Sequence, residues 1–185
     1  MKLKEISDVF TGVLTVRETD KEGNNLYKVF NLKEFENKTN NHDIMMSSKD
    51  LSHKAIKNGD LIFRLVYPNK IIYVDEKMEG MLVPSQWCVI RPYSNIIRAK
   101  VLKWYLESED GKRKIMPNII GTTIQKMSIN SLKEIEIPVI KIQKQKNVED
   151  LIELCERQKD ISLKILENKQ LLYDEIIREI IQEED

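Results

Sequence analysis

The sequence predicts an α+β protein, a mixed domain with a curved, mainly antiparallel sheet followed by a long C-terminal coiled-coil helix. Three observations predict it. Short runs rich in β-branched and aromatic residues alternate with turn signals through the body of the chain. From Leu151 onward, apolar residues recur with alternating gaps of three and four, the period of a helix that pairs with another. The formal net charge of zero also hides a division. Residues 1–146 hold 25 Lys+Arg against 18 Asp+Glu, a balance of +7, and residues 147–185 hold 5 against 12, a balance of −7. A basic body, 1–146, therefore precedes an acidic tail, 147–185.

Each element has its own local reason. Leu61 to Val66, Ile71 to Val74 and Trp87 to Ile90 read as strands, separated by turn signals at Pro68-Asn69, Glu79-Gly80 and Pro92. Ile97, Val101, Trp104 and Tyr105 stand at helical spacing within Ile96 to Leu106, and Glu107 to Lys114 reads as an exposed loop. Gly121, Thr122 and Thr123 form a tight turn, because glycine alone takes positive φ without strain. Lys133 to Ile137 alternates charged and apolar residues like a strand with one buried face, and Pro138 closes it by removing a backbone donor. A helix then opens with Asn147, Glu149 and Asp150 in its first turn, where a cap and acidic charge are favourable.

Composition excludes several classes. At 185 residues and 41% apolar content, the chain suffices for one globular domain and an appendage. No apolar run approaches the roughly 18 residues of a membrane span, and Met1-Lys2-Leu3-Lys4 lacks a signal-peptide apolar region, so a cytoplasmic protein without membrane contact is expected. Cys88 and Cys155 are too few for a disulfide framework and are expected to be buried thiols. His42 and His53 lack partners at ligand spacing, so neither a metal nor a cofactor is expected. A methyltransferase would need a glycine-rich cofactor loop and an Asn- or Asp-Pro-Pro-aromatic motif, and neither occurs. Glu36-Asn37-Lys38 and Glu167-Asn168-Lys169 have a nuclease-like Glu-x-Lys form but no Pro-Asp pair upstream. Serine-elbow and phosphate-loop glycine motifs are absent too, so no catalytic residue is assigned.

The stretch from Gly121 to Glu153, GTTIQKMSINSLKEIEIPVIKIQKQKNVEDLIE, together with the helical tail, resembles the end of a DNA target-recognition domain of type I restriction-modification specificity (S) subunits, joined to their helical spacer. Leu3 to Gly12 is similar to that family's short helix ending on glycine, Asn58 to Arg64 to its turn-then-strand element, and Ser85 to Pro92 to its following core strand. The resemblance implies a half-subunit with one recognition domain and one spacer helix. It further implies a non-catalytic partner of double-stranded DNA and of a methyltransferase (M) subunit, and possibly of a restriction (R) subunit, acting on a bipartite target. Full S subunits separate two recognition domains with two antiparallel helices, so a single copy implies a homodimer.

Residues 36–49 form a polar segment whose Lys38, Asn40, Asn41, His42, Ser47 and Lys49 have side chains able to reach base edges or phosphates. Arg64, Asn69 and Lys70 near one turn, and Lys112, Arg113 and Lys114 in the charged loop, complete the candidate DNA contacts. The basic body suits a polyanion and the acidic tail does not. In the tail, Leu151, Leu154, Gln158, Ile161, Ile165, Asn168, Leu172 and Ile176 form a dimerisation seam, whose two polar members fix register. Two function classes follow: a DNA-binding specificity subunit, or a coiled-coil adaptor or S-subunit mimic that binds protein and does not select a DNA sequence.

Overall fold

The computed structural model describes every residue except 38, 40–42 and 183–185. The chain divides into two compact units, Met1–Gln145 and Lys146–Asp185. In the first, α1 (Leu3–Ile6) runs directly into β1 (Ser7–Thr11), followed by α2 (Thr15–Glu18), β2 (Asn25–Val29), α3 (Leu32–Asn37) and β3 (Asp43–Ser47). Next come β4 (Leu61–Arg64), β5 (Ile71–Tyr73), β6 (Trp87–Pro92), α4 (Ala99–Glu107) and α5 (Glu109–Ile115). The short strands β7 (Ile119–Ile120) and β8 (Lys126–Met127), then α6 (Ile129–Lys133), precede α7 (Ile142–Gln182).

Four strands in the order β1-β6-β4-β5 make the central sheet, with every pairing antiparallel. Both of its faces are covered. Leu61, Phe63, Cys88 and Ile90 point into one core with Leu3, Ile6, Leu102, Leu106, Leu132 and Ile137. Ile62, Trp87 and Val89 point into a second with Phe30, Ile56, Val74 and Val83. Burial on both sides explains why Leu61–Phe63 and Trp87–Ile90 read as continuous apolar runs without alternation. A separate ribbon of β2 and β3 covers a third, smaller core of Val13, Val29, Met45, Leu51 and Leu82.

Two buried polar groups brace the body. Asp60, 2% exposed, takes a bidentate pair from Arg91, with Nε 2.9 Å from Oδ1 and Nη2 2.7 Å from Oδ2. The Lys57 amide donates to the same carboxylate at 2.8 Å, which fixes the Asn58-Gly59 turn ahead of β4. That carboxylate holds the Arg91 guanidinium above its ordinary pKa. The second group is Gln145, fully buried, whose Oε1 accepts from the Arg98 amide at 2.8 Å while Nε2 donates to Ile96 O and Ile140 O at 2.8 and 2.7 Å. Three backbone groups at the start of α4 and α7 thus depend on one side chain, and leaving them unpaired costs about 1–3 kcal/mol each.

Several expectations are corrected. The opening segment is not one short helix, because Ser7–Thr11 leaves α1 to pair with β6. Glu107 to Lys114 is no loop: the Ser108 hydroxyl accepts from the Gly111 amide at 3.2 Å, and Glu109 and Asp110 fill the first turn of a true helix. Residues 43–47 of the polar segment form a strand. In Ile96 to Leu106 the buried face is Ile97, Leu102 and Leu106, and Trp104 is exposed. Burial alternates over Glu134–Ile137 as expected, but the backbone makes a single bridge, Lys2 to Glu136, because α6 occupies the residues before it. The last helix begins at Ile142, ahead of the expected Asn147 start. Cys88 is buried, its thiol pushed up to about 12 by desolvation, whereas Cys155 is exposed.

Glu134 links α6 to the N-terminal segment, accepting from Lys2 Nζ at 2.7 Å and from Lys4 Nζ. The hydrogen bonds from Lys2 and Lys4 hold its carboxyl down at about 2, from an ordinary 4.5. A depressed folded-state pKa means this stabilisation is complete above about pH 4.5 and is lost as pH falls toward 2. Glu134→Gln should therefore leave the wild type more stable at neutral pH but nearly matched near pH 2, measured by urea unfolding across that window; a pH-independent difference would exclude the link.

Candidate nucleic-acid interface

A cleft of about 550 Å³ opens between the β4–β5 turn and the α4–α5 corner. Phe63, Ile71, Leu106 and Ile115 line its apolar part, and Tyr67, Asn69, Lys70, Lys112 and Met116 contribute the rest of its wall with Glu107 and Pro68. The turn is held from both ends. Arg64 N donates to Lys70 O and Asn69 Nδ2 to Arg64 O, each at 2.8 Å, while Tyr67 N donates to Gln125 O at 2.9 Å. Gly111 lets α5 approach α4, since a Cβ there would lie 2.2 Å from Tyr105 O and 2.8 Å from Leu106 Cα. That close approach places Lys112 on the same cleft as Lys70.

Asn69, Lys70 and Lys112, drawn from two separate stretches of sequence, are therefore neighbours. Their charges are partly compensated: Lys70 pairs with Glu36, and Lys112 with Glu109 at 3.2 Å. Arg64 flanks the turn at the end of β4, and its buried Nε has no hydrogen-bond partner among the described residues. Arg113 and Lys114 lie elsewhere on α5. Arg113 faces Asp110 at 3.6 Å, and Lys114 donates to Glu136 O at 2.9 Å, both beside a second hollow that includes Tyr105 and Pro138. Ser47 is removed from any contact surface, being 1% exposed with its Oγ accepting from Lys49 N at 3.2 Å. Lys49 is exposed and pairs with Glu18 at 2.8 Å, a hydrogen bond that holds the Glu18 carboxyl below its usual range. Lys38, Asn40, Asn41 and His42 lie outside the described residues.

No protein-family model matches the chain, and no curated protein does. Solved structures do. A type I restriction-modification system S subunit from M. genitalium aligns over 88% of this chain and 40% of its own length, at 17% identity and a TM-score of 0.57. The HsdS subunit from Thermoanaerobacter tengcongensis aligns over 87% of this chain and 43% of its own, at 18% identity and a TM-score of 0.63. A chain from a structure of the assembly and conformational transition of the type I R-M system gives the same coverage and TM-score at 17% identity. The fold is that of a type I S subunit. This chain spans about two fifths of the length of those it matches.

Within the S-subunit fold, α7 taken by itself carries Leu151, Leu154, Ile161, Ile165, Leu172 and Ile176 between 42% and 62% exposed, a long uncovered apolar band. Sequence reasoning missed Glu107 and Met116 in the cleft wall, and the helix that carries Lys112. The Ser108-Glu109-Asp110 cap ahead of three basic residues was the available signal for that helix. Gly111→Ala should lower stability by about 1–3 kcal/mol through overpacking of the α4–α5 corner; an unchanged denaturation midpoint would mean the corner has slack and does not fix Lys112.

Proposed function

We propose that this chain acts as a sequence-specific DNA-binding specificity subunit of a type I restriction-modification system. In this reading it chooses the target for an M subunit, and for an R subunit where one exists, and performs no chemistry itself. One observation carries the proposal: the likeness to S subunits extends through the body and into the helix, over 87–88% of the chain. The +7 body supports it, since phosphate neutralisation with counterion release supplies most non-specific affinity. The cleft bearing Asn69, Lys70 and Lys112, with Arg64 beside it, is the proposed backbone-contacting region, and Lys49 a second contact. Such a subunit would work in the cytoplasm. The adaptor reading draws its support from the apolar band of α7 alone, and a gel shift with random-sequence duplexes separates the two, because only a specificity subunit enriches a sequence.

Affinity should fall steeply with salt, with a log–log slope of about 0.9 per phosphate neutralised. Lys70→Ala with Lys112→Ala should reduce that slope by about two and weaken all sequences alike. A slope unchanged by the double substitution would take the cleft out of the interface.

The partner proposed for α7 is a second copy of the chain, paired antiparallel over residues 147–181. A two-fold interface buries the same patch on both copies, and two copies would supply the two domains and two helices of a full S subunit. Symmetric protein then implies a split, palindromic target. The paired helices would also offer the docking surface for the M subunit. Ile161→Lys with Ile165→Lys would bury charge in the seam and should give monomers with weak half-site binding. Sedimentation of the unmodified protein as a monomer at tens of micromolar would overturn the arrangement.

A further inference from the structure

The polar members of the α7 seam carry information that its apolar members do not. Leu154, Gln158, Ile161, Ile165, Asn168 and Leu172 stand alternately four and three apart on this helix and so share one face, with Glu175 next in the series. The four apolar members are between 50% and 62% exposed, and the two amides interrupt them. An amide buried against an aliphatic side chain leaves its donors and acceptor unmet, whereas two amides that face each other satisfy one another. Where the two amides fall therefore decides how a second copy of this helix can lie against the first.

One antiparallel alignment keeps the amides together. With a two-fold axis level with Leu163, Gln158 faces the partner's Asn168, Ile161 the partner's Ile165, and Leu154 the partner's Leu172, each twice by symmetry. On the rim, Asp150 stands beside the partner's Arg178, an opposite-charge pair that also recurs twice. A slip of one heptad sets Asn168 against the partner's Ile165 in one direction and the partner's Leu151 in the other. A parallel in-register pair would match each amide with itself. It would also bring Glu175 against the partner's Glu175 in the core and Lys164 beside the partner's Lys169 on both rims. The antiparallel alignment has one such like pair, Lys164 beside its own copy on the rim, where water screens it.

We infer that α7 pairs antiparallel with a second copy about an axis at Leu163, and that the side-chain amides of Gln158 and the partner's Asn168, hydrogen-bonded in two buried layers, set the register. This rests on the proposed pairing of two copies and deepens it by naming the residues that fix it. Register bears on target choice. In this alignment the two Lys146 positions lie about 51 Å apart along the helix pair, at about 1.5 Å per residue. A slip of one heptad changes that by about 10 Å, or about three base pairs of duplex. The two amides would thus hold a bipartite target to one half-site spacing.

The test uses the full chain carrying Cys155→Ser, because Cys155 is exposed and Cys88 is buried. Gln158→Cys and Asn168→Cys are introduced in separate chains and equilibrated in a glutathione redox buffer. Helix axes about 8–10 Å apart, with Cα cylinders about 2.3 Å in radius, leave facing Cα atoms about 4–6 Å apart and within disulfide reach. In the inferred register each new cysteine is about 15 Å from its own copy. Either variant alone should therefore stay uncrosslinked, and an equimolar mixture after subunit exchange should give covalent dimer approaching half of the chains. Covalent dimer from either variant alone would overturn the antiparallel register. A mixture that stays uncrosslinked although sedimentation shows it dimeric would also overturn the register, while leaving the pairing of two copies standing. Monomers of both variants and of the unmodified chain at tens of micromolar would overturn the pairing itself, and the register with it.

Discussion

Burial of β4 and β6 on both faces is the constraint from which the rest of the body follows. A strand pair with no solvent face needs a layer on each side, and a chain of this size has few elements to supply them. α1, α4 and α6 close one side, while Phe30, Ile56 and the segment around Met78 to Val83 close the other. Little of the central sheet is then left to meet a partner. The surfaces available for recognition are peripheral: the turn that joins β4 to β5, the α4–α5 corner beside it, and the separate ribbon. The turn and the ribbon are anchored by backbone hydrogen bonds to neighbouring segments, and the corner by the close approach of Gly111 to α4.

Buried polar groups do a different job from the apolar clusters. Asp60 and Arg91 satisfy each other, the Lys57 amide and Ala55 O, and Arg91 also stacks over Phe10 at 5.4 Å. Removing one member of such a pair leaves a charge without compensation, which costs about 3–5 kcal/mol when fully buried and less here because Arg91 keeps a quarter of its surface. Gln145 acts with neutral groups alone. Its amide has an acceptor and donors in the right number for one N–H and two carbonyls, so an isosteric glutamate or methionine would leave at least one backbone group unmet. The first turn of α7 is thereby part of the body, which is why the helix begins before the expected cap at Asn147.

The fold was legible where burial was one-sided or complete, and obscure where two signals cancelled. The apolar runs of β4, β5 and β6 announced strands, and the gaps of three and four announced the terminal helix. The β2–β3 ribbon gave no period-2 signal, because Leu26, Ile44 and Met46 face outward while Val29 and Met45 face inward, so apolar residues occupy both sides. In α5 the density of charge mimicked a loop, although the cap and the acidic-then-basic order fit a helix. Of the candidate contacts, Asn69, Lys70 and Lys112 converge, since backbone topology, invisible in composition, folds their two segments together. Ser47 fell out for the converse reason: strand alternation turns it inward beside Met45, and a polar residue in a polar stretch gives no hint of that.

The balance of +7 in the body is not a naked positive surface. Lys2, Lys4, Lys49, Lys70 and Lys112 each have a carboxylate partner, and most of these groups are well exposed to water. Exposed pairs of this kind contribute about 0–1 kcal/mol, so exchanging a carboxylate for a phosphate is inexpensive and the release of condensed counterions from DNA favours it. Such contacts would be readily made and readily screened, alike on every sequence. On the proposed reading, discrimination among sequences would have to come from groups whose interactions do not scale with charge, such as the side-chain amide of Asn69 at the cleft. A division of labour between labile cations and fixed neutral surfaces is what a protein needs if it is to slide along DNA and stop at one sequence.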